Sequence, residues 1–414
     1  MAQQTSLWLT REPDVQRFPK LSANVSTDVV VVGGGIAGVS AAYFLTRAGK
    51  KVVLLEANHL GTGETGFTTA FLTSSVDPPL SLLREQFGDA HIRQVRAAGE
   101  ETIRLIETLV AEEALRAGFH RLDALAVGLT ADTVPHLARE AEALRIAGGV
   151  PTLLGAEELR ALTGVEAVGA VRIPLQGAFD VRAFLLGLAE RLQRRGGQIF
   201  EESRVTEINQ GMSVTVKTAT ATVTAEGAVL ATGLFPSPHK EHNRHFRQMV
   251  TYVVALELPE GGRSWRLPDF LYWDIATPFH YMRFVNPVRG HASNGVNGSF
   301  LIGGEDLPLP EASKAGEKPW SSLEAFAKTF LPDERWRVTH QWRGQTLETE
   351  DALPVAGVPP GGNPKIFLTS GFGGNGMTFG TSAGKVIADL MTGALQPGNN
   401  PFRFERETLK KGSA

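Results

Sequence analysis

The 414-residue sequence contains no cysteine. This absence excludes disulfides, a thiol nucleophile, a thioether-linked flavin and a cysteine-ligated iron–sulfur cluster. Any redox chemistry must therefore reside on a bound organic cofactor. A chain without disulfides also fits a cytoplasmic location, which is the location we expect.

The chain also lacks a strong charge of one sign, with a net charge of −3. Such a balance predicts no broad surface for nucleic acid. The first six residues contain neither a basic nor an apolar segment, so no secretory signal is expected. Residues 29–45 are the one stretch that resembles a membrane helix, but they include three consecutive glycines and are barely long enough, so we predict no membrane span.

The most informative segment runs from Asp28 to Glu56. A β-branched run leads into Gly33-x-Gly35-x-x-Gly38, a helix-like stretch follows, and a second apolar strand ends at the acidic Glu56. This order is the dinucleotide-binding fingerprint in its expected context. The glycines would permit a tight turn, close approach to a pyrophosphate and close packing of helix on strand. The alternative is a strand–glycine–helix turn that serves packing only.

A second glycine loop, Gly371–Thr378, follows the apolar strand 365–370 and precedes a helix predicted over 377–390. One glycine loop is enough for one pyrophosphate, so a second loop predicts another electron-rich target. The N1–C2=O edge of a flavin becomes anionic on reduction, and backbone N–H groups at a helix N-terminus would stabilise that charge. The alternative is again a tight turn without a ligand.

Sequence periodicity predicts both helices and strands in this chain. Helices are expected at 80–118, 132–149 and 183–195, and strands at 125–129, 198–201, 221–225, 229–233, 249–258, 279–285 and 299–303. Nucleotide-binding elements occur at three separated places, around 28–56, 200–233 and 365–390. We therefore expect a discontinuous FAD-binding domain of residues 1–80, 150–235 and 341–414, and a substrate or covering domain of residues 81–149 and 236–340.

Several motifs together resemble the FAD-dependent D-amino acid oxidase superfamily, which includes glycine oxidase and sarcosine oxidase. The motifs are Gly33–Gly38, Glu56, Ala231–Gly233, Asp351–Gly357 and Gly371–Thr378. Further segments resemble a bacterial subgroup in which a Rieske domain often follows at the C-terminus: Ser6–Trp8, Thr65–Ala70, His280–Arg283 and Gly373–Thr378. With no cysteine and an end near residue 414, we expect that Rieske domain to be missing.

The resemblance implies an α/β fold, α+β overall, with a Rossmann-like GR2-type FAD-binding domain. A mixed or antiparallel sheet would be inserted to cover the flavin. FAD would be bound noncovalently, since Phe67 stands where some relatives have histidine. The residues implied in FAD binding are Gly33, Gly35, Ile36, Ala37, Gly38, Glu56, Ala57, Thr65, Gly66, Thr68, Thr69, Ala70, Val205, Ala231, Thr232, Gly233, Gly373, Gly374, Asn375, Gly376, Met377 and Thr378.

One departure from the family pattern concerns the substrate carboxylate. Glycine-oxidase-like members bind that carboxylate through an arginine before the Asp-x-Leu-Pro stretch, and here the matching position is Thr346. Arg343 lies nearby but out of register. The sequence therefore does not assure recognition of an amino-acid carboxylate.

Four side chains are candidates for orienting the substrate above the flavin: Tyr281, Arg283, Tyr252 and Arg343. In an alternating strand, Tyr281 and Arg283 would share one face and could bind an acidic substrate group. A solvated pair or an inter-domain salt bridge is the alternative. Tyr252 is also compatible with a structural role, and Arg343 with stacking on Trp342.

A histidine-rich turn contains His239, His242 and His245. Neighbouring prolines favour a loop, and few acidic residues lie close by in sequence. We expect solvated histidines and no metal site.

These observations predict an FAD-dependent enzyme that oxidises a C–N bond of a small amine or amino acid by hydride transfer to flavin N5, followed by imine hydrolysis. The electron acceptor would be oxygen, or a quinone or partner protein. One alternative is a flavin-binding electron-transfer or partner subunit without amine oxidation of its own. Another is a flavin monooxygenase, although only one complete Gly-x-Gly-x-x-Gly unit is present. The sequence leaves the substrate, the acceptor and the oligomeric state open.

Overall fold

The computed structural model describes residues 2–10, 16–257, 268–285, 298–331 and 336–411. Elements are numbered in chain order. The helices are α1 (Leu7–Thr10), α2 (Ile36–Arg47), α3 (Leu80–Phe87), α4 (Asp89–Glu112), α5 (Val134–Ile146), α6 (Ala156–Thr163), α7 (Val181–Arg194), α8 (Leu309–Ala312), α9 (Lys318–Phe330), α10 (Gly376–Thr392) and α11 (Glu407–Lys411). In the described ranges, none of these helices is both long enough and apolar enough to cross a bilayer.

The first sheet has eight strands and a parallel centre. Its strands are β1 (Val25–Val32), β2 (Val52–Leu55), β7 (Gln198–Phe200), β8 (Val205–Gln210), β9 (Val214–Thr218), β10 (Thr222–Leu230), β16 (Val355–Gly357) and β17 (Ile366–Ser370). Their order is β16-β17-β10-β1-β2-β7, with the β8–β9 hairpin attached to β10. The centre is apolar on both faces because helices cover one side and the hairpin, with the C-terminal segment, covers the other.

The second sheet has nine strands and is mostly antiparallel. Its strands are β3 (Phe71–Leu72), β4 (His120–Gly128), β5 (Thr152–Gly155), β6 (Gly169–Ala178), β11 (Arg247–Glu257), β12 (Leu271–Asp274), β13 (His280–Val285), β14 (Ser299–Pro308) and β15 (Arg337–Glu348). Their order is β15-β11-β14-β13-β12-β4-β6-β3, with β5 on β6. The face that carries Tyr252 and Met282 packs on α9 and forms its own apolar core.

The structure divides one predicted helix into two and joins two predicted strands into one. The helix expected over 80–118 is two helices, α3 and α4, separated by Gly88 at φ 85°. The strands expected at 221–225 and 229–233 are one strand, β10, which pairs with β9 at its start and with β17 at its end. Residues 231–233 therefore form the turn after the strand rather than part of it.

Three segments that the sequence predicted in the FAD-binding part pair with strands of the second sheet. β5 and β6 were expected in the FAD-binding part, but they pair with each other and with β4 in the second sheet. β15 forms the edge of that same sheet through its pairing with β11. The two residues of β3 pair with β6 as well. The reason is that strand partners are set by contacts distant in sequence, which a local pattern does not encode.

Helices α2 and α10 pack unusually closely on the first sheet. A Cβ built at Gly384 would lie 2.7 Å from the backbone nitrogen of Ala41, and one built at Gly380 would lie 2.7 Å from the Ile36 side chain. Only glycine permits this approach at these two positions. The packing brings the N-termini of both helices to one edge of the sheet.

We predict that Gly384→Ala lowers the free energy of unfolding by about 1–3 kcal/mol, because the new methyl group overlaps α2. In an exposed helix the same change would instead stabilise by roughly 1 kcal/mol. Urea unfolding of the purified protein measures the difference. Gly398→Ala is the matched control, since a Cβ there meets no atom within 4 Å. Equal stability of both variants would contradict the packing argument.

Candidate active site

A large cavity lies between the two sheets, at the carboxyl ends of β1 and β17. Its volume is about 960 Å³, at the upper end of the usual range for ligand pockets. Both glycine loops line it, as does the second sheet through Thr251, Tyr281 and Asp306. The structure thus brings the predicted nucleotide elements and the covering sheet to one space.

The first glycine loop has the backbone geometry that its motif predicts. Gly33 has φ 111°, and a Cβ there would lie 2.4 Å from the Ala231 carbonyl oxygen. A Cβ on Gly38 would lie 1.9 Å from the Gly33 carbonyl oxygen, so Gly38 permits helix–strand packing and does not line the cavity. The loop residues that line the cavity are Gly33, Gly35, Ile36 and Ala37.

Glu56 lies beside that loop at the end of β2. Its Oε2 accepts a hydrogen bond from the Gly34 N–H at 2.7 Å, and its Oε1 accepts one from the Asn58 N–H at 2.7 Å. Thr65 accepts a hydrogen bond from the Ile36 N–H at 3.0 Å. The predicted residues that line this side of the cavity are Glu56, Ala57, Thr65, Thr68 and Thr69, whereas Gly66 is buried behind it.

Ala231, Thr232 and Gly233 line the same region from the turn after β10, with Val205 beside them. Gly233 has φ 72°, and the Thr232 hydroxyl donates to the Leu234 carbonyl at 2.8 Å. These four predicted residues therefore line the same cavity as Glu56 and the first loop.

The second glycine loop lines the cavity with Gly373, Gly374, Asn375, Gly376 and Met377 at the start of α10. The Asn375 amide donates to the Ser75 carbonyl at 2.8 Å. Thr378 is buried outside the cavity lining and its hydroxyl lies 3.4 Å from the Thr73 carbonyl. The Asp77 carboxylate, which sequence reasoning missed, accepts a hydrogen bond from the Gly374 N–H at 2.7 Å.

Arg283 has a different place from the one predicted. Its guanidinium donates to the carbonyls of Thr69, Ala70 and Phe179. Ala70 itself has φ 61° and is buried behind the cavity lining. Arg283 is not among the described residues that line the cavity. It holds the 68–70 segment in place from behind.

Two further candidates also lie away from the cavity. Tyr252 is 1% exposed, and its ring packs edge-on against Trp320 on the far face of the second sheet. Arg343 is exposed on β15, whereas the neighbouring Trp342 donates its indole N–H to the Phe67 carbonyl at 2.8 Å. The alternation of β15 and β11 puts these side chains on faces that do not meet the cavity.

Tyr281 is the one predicted substrate-orienting residue that lines the cavity. Its hydroxyl lies 2.6 Å from the Thr251 hydroxyl. Its ring lies close to Gly303, where a Cβ would be 2.3 Å from the ring atoms. Glycine at that position on β14 therefore makes room for the aromatic ring.

A β-bulge next to Tyr281 turns Asp306 into the cavity. The pairing of β11 with β14 shifts register between Val250 and Tyr252, and Glu305 adopts φ 56°. An extra residue in one strand re-aims the side chains that follow. Glu305 contacts His280 at 3.4 Å, while Asp306 lines the cavity beside Thr251. No local sequence signal marks this bulge.

Burial changes the acidity of three groups in this part of the cavity. Burial, with nearby Thr251 opposing and Asp77 reinforcing the effect, raises the pKa of Asp306 to about 7. Asp77 lines the cavity, and the partial loss of hydration there, together with the charge of Glu348, raises its pKa to about 6. Burial also raises the pKa of the Tyr281 hydroxyl, which therefore remains protonated.

The histidine-rich turn is not solvated as expected. His239 and His242 are 4% and 7% exposed, and burial lowers the pKa of both. Ligand atoms of His239, Glu241 and His242 lie within 4.8 Å of one another. The absence of a metal site therefore stays a prediction.

The cavity suits a dinucleotide with a flavin. A Cβ built at Gly35 would lie 3.2 Å from the Thr65 hydroxyl oxygen and would meet no other atom within 4 Å. At the other end, the N-terminus of α10 opens on the same cavity, where Ser370 has a buried hydroxyl without a partner. A Rossmann-type sheet with two such loops, covered by a second sheet, defines a flavin-dependent oxidoreductase.

A family model described as "FAD dependent oxidoreductase" (DAO) matches residues 28–390. The chain belongs to this family, and it is an FAD-dependent enzyme. The predicted cofactor and fold class are thereby confirmed.

Three relatives illustrate the similarity. A Bacillus subtilis protein, provisionally named a Rieske 2Fe-2S iron–sulfur protein, YhfW, is 27% identical over 98% of this chain and 76% of its own length. Gamma-glutamylputrescine oxidoreductase of Escherichia coli is 26% identical over 91% of this chain and 86% of its own length. The crystal structure of glycine oxidase from Geobacillus kaustophilus matches with a TM-score of 0.74 and 19% identity, over 92% of this chain and 99% of that chain.

We predict that Asp306→Asn stabilises the protein above neutral pH. The pKa of Asp306 is about 7 in the folded state and roughly 3.9 in the unfolded chain. The folded state therefore binds the proton more tightly, and the contribution of this group to stability falls as pH rises from about 4 to about 7. At pH 8 the variant should be more stable by about 1–2 kcal/mol.

Urea unfolding at a series of pH values measures this difference, which should close as pH falls towards 4. Glu305→Gln is the matched control on the same strand, because that carboxylate contacts His280 instead of the cavity. A constant difference between Asp306→Asn and the unchanged protein at every pH would contradict the assignment.

Proposed function

We propose that this enzyme oxidises a C–N bond of a small amine or amino acid. The substrate would lose a hydride from its α-carbon and a proton from its nitrogen, and water would hydrolyse the resulting imine to a carbonyl compound and an amine. Noncovalently bound FAD would accept the hydride and both electrons. The observation that carries the proposal is the polar group of Thr251, Tyr281 and Asp306 on the covering sheet, which lines the same cavity as the second glycine loop.

The protein would contribute orientation and electrostatics rather than a covalent step. The Tyr281 hydroxyl, held by Thr251 at 2.6 Å, can donate a hydrogen bond to the substrate. Apolar side chains of Ile173, Trp273 and Ile275 line the neighbouring wall and limit access of water. Arg283 would act indirectly, by holding the carbonyls of residues 69 and 70 beside the cofactor.

The names of relatives support the substrate class. One relative is a gamma-glutamylputrescine oxidoreductase, and another, 25% identical over 91% of this chain, is a glycine oxidase of Bacillus licheniformis. The electron acceptor would be oxygen, with hydrogen peroxide as product, or else a quinone or partner protein. We place the enzyme in the cytoplasm.

The test is anaerobic reduction of the purified protein loaded with FAD. We expect a yellow protein whose absorption band at about 450 nm bleaches when an amine or amino-acid substrate is added. Readmission of oxygen should restore the band rapidly if oxygen is the acceptor. Slow recovery, accelerated by a quinone, would indicate a dehydrogenase.

The variant that tests the role of the Tyr281 hydroxyl is Tyr281→Phe, which keeps the ring but removes the hydroxyl. This variant should bind FAD normally and reduce it about 10- to 100-fold more slowly, from loss of one buried hydrogen bond to the substrate. A yellow protein that no member of a broad panel bleaches would favour a flavin-binding partner subunit and reject the proposed reaction.

A further inference from the structure

Two carboxylates that line the cavity, Asp77 and Asp306, have no cationic side chain as a partner in the described part of the chain, whereas Asp274 pairs with His280. Among the described residues, Asp77 accepts a backbone hydrogen bond, and one oxygen of Asp306 is buried without any partner. Arg139 and Arg204 also line the cavity, but neither pairs with a lining carboxylate. A buried carboxylate without a cation is costly and calls for a compensating charge.

The acidic groups reinforce one another at the covering-sheet end of the cavity. The negative charges of Asp77, Glu348 and Glu305 all disfavour ionisation of Asp306. A cationic ligand between Asp77 and Asp306 would relieve this repulsion. The bulge at Glu305, with φ 56°, is a strained backbone that keeps Asp306 turned into the cavity.

Independent polar atoms in the same cavity also lack partners. Ser75 and Ser370 both line the cavity. Ser75 is 8% exposed and Ser370 is fully buried, and neither hydroxyl has a hydrogen-bond partner. The hydroxyl of Thr346 is likewise buried and unpartnered. Buried polar atoms are normally satisfied, so these atoms point to a polar ligand.

Thr346 contributes no charge to the cavity. This residue lines the cavity and its side chain ends in a neutral hydroxyl. A carboxylate placed there would meet a neutral hydroxyl and the nearby charges of Asp77 and Asp306. The part of the cavity beside Asp77 and Asp306 therefore disfavours an anion and favours a cation.

We propose that Asp306 and Asp77, with the hydroxyls of Thr251 and Tyr281, form a subsite for a second ammonium group of the substrate. The substrate is then an alkyl diamine or polyamine without a carboxylate next to the reacting nitrogen. This assignment rests on the proposed function, because the remaining amine is the one that is oxidised. The far ammonium stays protonated and takes no part in the electron balance.

The experiment compares three compounds of equal chain length that differ only at the far end. They are an α,ω-diaminoalkane, the matching monoamine and the matching ω-amino acid, each with three to five carbons. Anaerobic reduction of the FAD-loaded enzyme gives kcat/KM for each, and perturbation of the flavin spectrum gives binding without turnover. We expect the order diamine, monoamine, amino acid, with the diamine at least tenfold ahead of the monoamine.

Asp306→Asn should lower the ratio of kcat/KM for diamine over monoamine by about 10- to 100-fold, as expected for a lost charge-assisted contact. Glu257→Gln, on the covering sheet but outside the cavity lining and paired with Arg337, should leave that ratio unchanged. An equal loss for both amines would overturn the subsite and indicate a role in the reaction common to both.

Different results would contradict the proposed amine oxidation and the proposed cation subsite. Bleaching by amino acids but not by diamines would leave amine oxidation standing and overturn the cation subsite. Spectral binding of diamines without bleaching by any compound would support the subsite and reject the proposed reaction. Absence of diamine binding, measured against the monoamine, would overturn the subsite whether or not the flavin is reduced.

Discussion

The close contact of α2 with α10 is the constraint on which the site depends. Gly380 and Gly384 let the second helix lie against residues 36–41 of the first at distances that no side chain would allow. Both helices therefore begin at the same edge of the first sheet, one after each glycine loop. Because unpaired N–H groups and positive dipole ends concentrate at helix N-termini, this packing directs two anion-binding ends into one cavity.

The covering sheet gives the same cavity its chemical character. A bulge in β14 turns Asp306 inwards, Gly303 makes room for Tyr281, and Thr251 joins their polar groups. Arg283 on β13 also connects the covering sheet to the cofactor side of the cavity, because its guanidinium donates hydrogen bonds to the carbonyls of residues 69 and 70. The same contacts therefore position both the 68–70 segment and the face of the covering sheet that lines the cavity.

Most of the residues predicted to bind the cofactor line the cavity, whereas Tyr281 alone of the four predicted substrate-orienting residues does so. The residues around Gly33, Glu56, Thr232 and Gly373 line the cavity as predicted, because each lies in a short motif with fixed local geometry. Tyr252 and Arg343 do not reach the cavity, and Asp77 and Asp306 were missed. The face of a strand depends on register and bulges, and a shift of one residue reverses it.

The sequence by itself determined that a dinucleotide is bound and that no thiol chemistry is possible, and its family resemblance predicts Thr346 in place of a carboxylate-binding arginine. These properties reside in residue identity or in contiguous motifs. Only the tertiary structure decided that β5, β6 and β15 belong to the covering sheet and that Asp77 and Asp306 line the same cavity as Tyr281. The physical reason is that burial, charge proximity and strand pairing arise between residues hundreds of positions apart, where no local pattern records them.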